Sequence, residues 1–168
     1  MSEETISKSE ATEQVLSMCR RLAQLYIAFA RTLVTELGQE KGEAVIRKSI
    51  LRYGQEVGRK IRERVEAEGL PLTIENYRRF SDLPSLGFSS RSVDTEGGRV
   101  SRVDDCVLAS VWKELGEQAL GRLYCYVDQA KIEAYNPELE YIHLKNCLDT
   151  EISYCDTTIQ RKKGKGAS

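Results

Sequence analysis

The sequence predicts an α+β domain in which a long N-terminal helical hairpin packs with an antiparallel sheet of two hairpins and a central helix. Two stretches with helical spacing of apolar residues fill the first half of the chain, and two candidate strand pairs flank a third such stretch in the second half. A length of 168 residues suits one domain. We therefore expect a single domain over residues 1–160 and a disordered, basic tail over residues 161–168.

Composition and charge narrow the classes of protein to consider. The net charge of -1 does not favour binding to nucleic acid, and no apolar run approaches the roughly 20 residues that a membrane span needs. The N-terminus is acidic and lacks an apolar signal core, which predicts a cytoplasmic protein. We expect the five cysteines to be reduced thiols, because the count is odd and nothing indicates secretion.

The first two helices are predicted from caps and periodicity. Ser7 and Glu10 form a capping box, and Gly38 stops the helix that follows. The predicted apolar stripe of that helix is Val15, Met18, Cys19, Leu22, Leu25, Tyr26, Phe29, Leu33 and Leu37. A second helix is predicted over residues 42–69, and the short connection makes the pair antiparallel. Gly54 and Gly58, four positions apart, would let another helix pack closely.

The middle and the end of the chain carry signals for a short helix and for strands. Thr73 is a predicted N-cap. Residues 88–93 and 99–103 form one predicted hairpin, and residues 141–148 and 152–160 form another about a turn at 149–151. A three-residue turn would place His143, Lys145, Cys147 and Cys155 on one face of the sheet, whereas a two-residue turn would reverse that pattern.

The third helical stretch carries most of the reactive side chains. Apolar residues at helical spacing predict one unbroken buried stripe over residues 108–130. A second row, Gly121, Cys125, Asp128 and Ile132, shares a different face. Glycine inside a helix costs about 1 kcal/mol relative to alanine, so Gly121 predicts close approach by a ligand or a backbone.

These residues carry a resemblance to a known family. The Cys125-x-x-Asp128 pair resembles the L-2-amino-thiazoline-4-carboxylic acid hydrolase family, and the likeness extends over most of the chain. It includes Tyr53-Gly54, Gly58, Cys106 at a helix start and Cys155 in the last strand. The resemblance implies hydrolysis of a C–N bond in a small cyclic amidine, the thiazoline ring, without a cofactor.

The resemblance and the residues together leave two mechanisms open. In one, Cys125 attacks the ring carbon as a thiolate, and Asp128 or His143 handles the proton. In the other, Asp128 activates water and the cysteines only shape the pocket. Arg122 or Lys131 would hold a substrate carboxylate.

Two further cysteines complete the candidate site. We expect Cys106 and Cys155 to line the substrate pocket, and we expect them to converge with Cys125, Asp128 and His143 between the central helix and the final hairpin. The partner is a small-molecule substrate, with no nucleic acid and no membrane, and the chain is a possible homo-oligomer. No Cys-x-x-Cys pair is present, so spacing gives no metal ligands.

A different class of function remains open. The last helix and hairpin are similar to those of 4-vinyl reductase domains, which are small-ligand binding modules. On that reading the chain is a non-catalytic small-ligand or metal-binding sensor, with Cys106, Cys125 and Cys155 around a metal. Turnover and metal content distinguish the two classes.

Overall fold

The computed structural model describes residues 5–83, 90–149 and 152–162. It has an α+β fold, as predicted, with two long helices followed by a four-stranded antiparallel sheet and shorter helices. In chain order the helices are α1 Lys8–Leu37, α2 Gln39–Ala67, α3 Ile74–Arg79, α4 Val107–Glu114, α5 Gln118–Tyr124 and α6 Tyr126–Tyr135. The strands are β1 Arg91–Thr95, β2 Gly98–Val103, β3 Leu139–Lys145 and β4 Cys155–Arg161. No helix among the described residues has the length and hydropathy that crossing a membrane requires.

Helices α1 and α3 begin where their caps predict. The Ser7 hydroxyl accepts a hydrogen bond from the Glu10 backbone N–H at 3.1 Å, and the Thr73 hydroxyl accepts one from Asn76 at 3.3 Å. Each bond satisfies a backbone donor that the first helical turn leaves without a partner. The hairpin of α1 and α2 is therefore fixed at its start by local chemistry.

The buried face of α1 differs from the predicted stripe. Ala23, Ile27 and Ala30 are its fully buried residues, whereas four members of the predicted stripe remain at least 45% exposed: Met18, Leu22, Leu25 and Phe29. The small alanines bring α1 close to its neighbours. The Trp112 indole N–H, for example, reaches the Ala23 carbonyl at 3.1 Å.

The close packing of another helix that Gly54 and Gly58 predict is confirmed, and the structure shows that this helix is α6. A Cβ at Gly54 would lie 2.6 Å from the Val127 carbonyl oxygen, and one at Gly58 would overlap the Lys131 carbonyl oxygen. Only glycine permits this separation of the two backbones. The contact holds α6, and the polar residues on it, against the long hairpin.

The prediction of one unbroken helix over residues 108–130 is wrong. The chain forms α4, α5 and α6 instead, and Gly116, between α4 and α5, has φ +70°, a left-handed conformation that ends a helix. The break folds α5 back on α4, so a Cβ at Gly121 would lie 2.5 Å from the Trp112 ring. The close approach predicted at Gly121 is thus made by an indole, and not by a ligand or a backbone.

The four strands lie in the order β1-β2-β4-β3, with every neighbouring pair antiparallel. The register that a three-residue turn predicts holds from Tyr141 to His143 and shifts by one residue at Lys145. His143 pairs with Thr157, and Lys145 pairs with Asp156 across an irregularity in the ladder. β4 continues to Arg161, while residues 163–168 of the predicted tail, like 88–89 and 150–151 of the predicted hairpins, lie outside the described residues.

A local turn explains the shift in register at Lys145. The Asn146 carbonyl accepts from Asp149 at 3.1 Å, and the Asn146 side-chain oxygen accepts from Leu148 at 2.9 Å. This side-chain turn removes Cys147 from the strand ladder. Cys147 is then buried with Cys155 and Ala109 in a small apolar cluster, with Cys106 and Leu148 packed against it.

Candidate functional site

Cys125 and Asp128 lie at the start of α6. Cys125 occupies the junction with α5 in a right-handed helical conformation, and Asp128 lies in the first turn of α6. Burial raises the pKa of the Cys125 thiol to about 12; the Asn146 hydrogen bond and the Arg122 charge oppose this effect without overcoming it. The Asp128 carboxylate raises that pKa further. Cys125 is therefore a protonated thiol at neutral pH.

Lys131 is a buried cation one turn further along α6, with 4% of its surface exposed. Its Nζ is 3.1 Å from an Asp128 oxygen and 3.2 Å from an Asp82 oxygen. Burial alone would lower the pKa of this amine, but Asp128, Tyr77 and Asp82 together raise it. Lys131 is thus charged, and two carboxylates around one ammonium leave the group with one net negative charge.

Aromatic rings surround the Asp128 carboxylate. Burial raises the pKa values of Tyr124 and Tyr141, and the Asp128 charge contributes to both increases. The Tyr141 and His143 rings meet edge to face with centroids 5.1 Å apart. Burial lowers the pKa of His143, and Asp128 opposes this only in part. His143 is therefore neutral at pH 7, able to donate one hydrogen bond and accept another.

Arg122 lies nearer to solvent than Lys131. Its Nε is 3.0 and 2.9 Å from the two Asp149 carboxylate oxygens, and its guanidinium lies 5.7 Å from the centre of the Tyr126 ring. The Arg122 side chain is 27% exposed, against 5% for Lys131. Of the two cations expected to hold a carboxylate, Arg122 is the accessible one.

Three further thiols, Cys106, Cys147 and Cys155, lie together near the starts of α4 and β4. Cys106 precedes α4 and is partly buried, which raises its pKa despite the opposing effect of the Ala109 backbone amide. Cys155 opens β4 and accepts a hydrogen bond from the Cys147 backbone N–H at 3.3 Å. The Cys147 and Cys155 sulfur atoms are 3.4 Å apart.

Cys155 differs from the other thiols in its acidity. The hydrogen bond shared with the Cys147 thiol lowers the pKa of Cys155 to about 6, although burial acts in the other direction. The same contact raises the pKa of Cys147. The backbone N–H can stabilise only a charge on Cys155, so we assign the thiolate to Cys155 and the proton to Cys147. All five cysteines are free thiols.

Electrostatic effects link the five side chains that the sequence predicts for the core site. The Asp128 charge acts on Cys106, Cys125 and His143, and Cys106 in turn interacts with Cys155. We call Asp128, Lys131, Asp82, Cys125 and His143 the Asp128 cluster. Its members come from the segment after α3, the junction of α5 with α6, the helix α6 and the strand β3.

Sequence reasoning missed three members of this neighbourhood. Asp82 reaches Lys131 from the segment after α3, and Tyr141 comes from β3. Asn146 bonds both the Cys125 thiol and its own turn. The sequence did not indicate them, because the burial of Lys131, which requires carboxylate partners, is known only from the fold.

A separate groove of about 640 Å³ lies between α2 and α6, away from the Asp128 cluster. It is lined by Gln55, Arg59, Arg62, Glu63, Glu66, Glu133 and Ala134. Charged side chains of both signs line it, including the surface pair Arg62–Glu66 at 2.8 Å. Its lining includes no thiol and no imidazole, the groups that the sequence predicts for the site, so we take the Asp128 cluster as the candidate site.

No metal centre is formed within the described ranges. No group of three or more His, Cys, Asp or Glu residues within those ranges is arranged to hold a metal ion. Cys106, Cys125 and Cys155 therefore form no such group. The metal-sensor interpretation therefore lacks a ligand set in the part of the chain that the structure describes.

Comparison with known proteins identifies a family over most of the chain. The model of a family described as L-2-amino-thiazoline-4-carboxylic acid hydrolase matches residues 18–158. No curated protein and no solved structure matches the chain significantly. The matched range contains the Asp128 cluster and all the cysteines.

Proposed function

The chain belongs to the L-2-amino-thiazoline-4-carboxylic acid hydrolase family, and from this we propose that it opens a C–N bond in a small cyclic amidine of the thiazoline type, with Asp128 as the group that activates water. The observation that carries this proposal is the net charge of the Asp128 cluster. Two carboxylates share one buried ammonium, so one negative charge remains to attract an amidinium cation.

Water is the nucleophile in the mechanism we propose. Asp128 takes a proton from a water molecule whose oxygen attacks the amidine carbon of the ring. The tetrahedral intermediate then collapses, the bond between that carbon and the ring nitrogen breaks, and Asp128 returns the proton to the leaving nitrogen. Lys131, whose Nζ is 3.1 Å from an Asp128 oxygen, keeps that carboxylate oriented between turnovers.

The thiol of Cys125 shapes the pocket in this mechanism. A pKa of about 12 leaves almost no thiolate at neutral pH, and the adjacent Asp128 charge disfavours it further. His143, which is neutral and packs against Tyr141, orients the thiazoline ring of the substrate by hydrogen bonding. These two observations favour the water route over thiolate attack.

The substrate carboxylate is assigned to Arg122. Lys131 is buried and already has two carboxylate partners, whereas Arg122 has one partner, Asp149, which is 48% exposed. An exposed ion pair contributes little free energy, so a substrate carboxylate can replace Asp149 at small cost. Amidinium and carboxylate would then bind at opposite ends of one site. We place this activity in the cytoplasm, where the thiols stay reduced.

A turnover screen tests the proposal. The purified protein is incubated with 2-amino-thiazoline-4-carboxylate, with 2-amino-thiazoline, which lacks the carboxylate, and with a five-membered lactam carboxylate, which lacks the cation. We expect hydrolysis of both thiazolines, with a higher KM for the one without a carboxylate, and no hydrolysis of the lactam. Mass spectrometry follows the products, and a thiol reagent reports which ring bond breaks.

The outcomes separate the alternatives. Cleavage at nitrogen releases an amine and no thiol, whereas cleavage at sulfur releases a free thiol and would contradict the bond assignment. Binding of a thiazoline without turnover would favour the sensor class, and no interaction with any cyclic amidine would contradict the proposed function. An Arg122→Met variant should raise KM for the carboxylate substrate and leave KM for 2-amino-thiazoline nearly unchanged.

A further inference from the structure

The pair Cys147 and Cys155 is not used by the mechanism proposed above. The two sulfur atoms are 3.4 Å apart and both residues are buried, with 3% and 9% of their surfaces exposed. Ala109 completes their apolar cluster. Two thiols at this distance can form a disulfide when an oxidant removes two electrons and the sulfur atoms approach to about 2.05 Å.

The two thiols have different environments. Cys155 accepts the Cys147 backbone N–H at 3.3 Å, and the Arg122 and Lys113 charges also favour its thiolate. The Lys113 charge acts on Cys147 as well, but the contact with Cys155 and burial outweigh it and raise the pKa of Cys147, so Cys147 keeps its proton. One member of the pair is therefore nucleophilic and the other is a thiol within reach, which is the arrangement of an attacking and a resolving cysteine.

The backbone around Cys147 can accommodate the closer approach. Cys147 lies in the turn formed by Asn146 and Asp149, outside the ladder that pairs β3 with β4. A shift of its sulfur by somewhat more than 1 Å would bring the pair to bonding distance. That movement breaks no strand hydrogen bond.

We propose that Cys155 and Cys147 form a peroxide-reactive dithiol site, in which Cys155 attacks the peroxide and Cys147 closes a reversible disulfide. The Cys155 sulfur attacks one oxygen of hydrogen peroxide, the O–O bond breaks, and the leaving hydroxide takes a proton from solvent and departs as water. Cys155 is then a sulfenic acid. The Cys147 sulfur attacks the Cys155 sulfur, the S–O bond breaks, and the hydroxyl leaves with the Cys147 proton as a second water. The two thiols lose two electrons, and the peroxide gains them. This inference does not depend on the proposed hydrolase activity.

Peptide mapping of the full chain tests this site. Trypsin cuts after Lys145 and Arg161, so both cysteines fall in one peptide, residues 146–161, whereas Cys106 falls in residues 103–113. The protein is treated with one to ten equivalents of hydrogen peroxide, alkylated under denaturing conditions and digested. We expect peptide 146–161 to lose two hydrogens and to escape alkylation, and we expect dithiothreitol to reverse both changes.

Single-cysteine variants identify the two roles. Cys147→Ser keeps a hydroxyl that can donate to Cys155 but has no sulfur to form the disulfide, so a dimedone adduct should accumulate on Cys155. Cys155→Ser should leave Cys147 reduced. Cys19→Ser, on α1, is the control and should behave as the wild type.

Three results would overturn the assignment, and two of them need only the wild-type protein. The first is a peptide 146–161 that stays fully alkylated at ten equivalents of peroxide. The second is a cross-link between peptides 103–113 and 146–161, which would make Cys106 the resolving thiol. The third is a dimedone adduct on Cys147 in the Cys155→Ser variant.

Discussion

Replacing Asp128 with asparagine is expected to lower kcat for the thiazoline substrate by about 100-fold or more, the usual contribution of a positioned general base. Asparagine has the same shape as aspartate but cannot take a proton from water. Lys131 would keep its partner Asp82, so the fold should persist with a small change in melting temperature. Steady-state kinetics and thermal unfolding of the same preparation provide the measurement.

Asp82→Asn is the matched control for this prediction. Like Asp128→Asn, it removes one carboxylate partner of Lys131 and makes the charge of the site more positive by one unit. It leaves Asp128 in place. We expect kcat within about tenfold of the wild type and a raised KM, because the site loses its net negative charge. Equal losses of kcat in both variants would mean that the charge, and not proton transfer by Asp128, is what the reaction needs.

Replacing Gly58 with alanine is expected to destabilise the protein by at least about 2 kcal/mol. Alanine gains about 1 kcal/mol over glycine in a helix, but forcing extra atoms into a packed contact costs about 1–3 kcal/mol and sometimes more. Here the added Cβ would overlap the backbone carbonyl oxygen of Lys131, so α2 and α6 must separate, and we expect the high end of that range. Thermal unfolding should show a decrease of about 4–8 °C in Tm.

Gly97→Ala provides the control for this prediction. A Cβ there meets only the Thr95 hydroxyl at 3.9 Å, an ordinary contact, and the position lies in the exposed turn between β1 and β2. Its effect on the free energy of unfolding should stay within about 0.5 kcal/mol. A Gly58→Ala protein as stable as this control would contradict the close helix contact.

The parts of the fold that local chemistry determines could be predicted from the sequence. Caps at Ser7 and Thr73 act within one turn, and the spacing of Gly54 and Gly58 indicates a helix contact wherever the partner comes from. The helix break at Gly116 was missed because the apolar spacing continues across it. The left-handed backbone of Gly116 and the hydrogen bond from the Glu117 N–H to the Trp112 carbonyl end the helix, a local stop signal that this spacing obscured.

The candidate site also has contacts that the sequence predicts and contacts that it does not. Cys125 and Asp128 are neighbours because they are three residues apart on a helical run, which spacing alone predicts. The partners of Lys131 come from two different elements, and the acidity of Cys155 depends on a turn that places Cys147 beside it. Such contacts depend on tertiary packing, which periodicity does not describe.

The activity of Cys125→Ser tests the central claim most directly, because that claim assigns the chemistry to Asp128 and water and only a structural role to the Cys125 thiol. Serine keeps a group that can hydrogen-bond to Asn146. The account predicts a kcat for 2-amino-thiazoline-4-carboxylate within about tenfold of the wild type. A decrease of about 10⁴-fold or more in a folded protein, the size expected when a covalent nucleophile is lost, would contradict it.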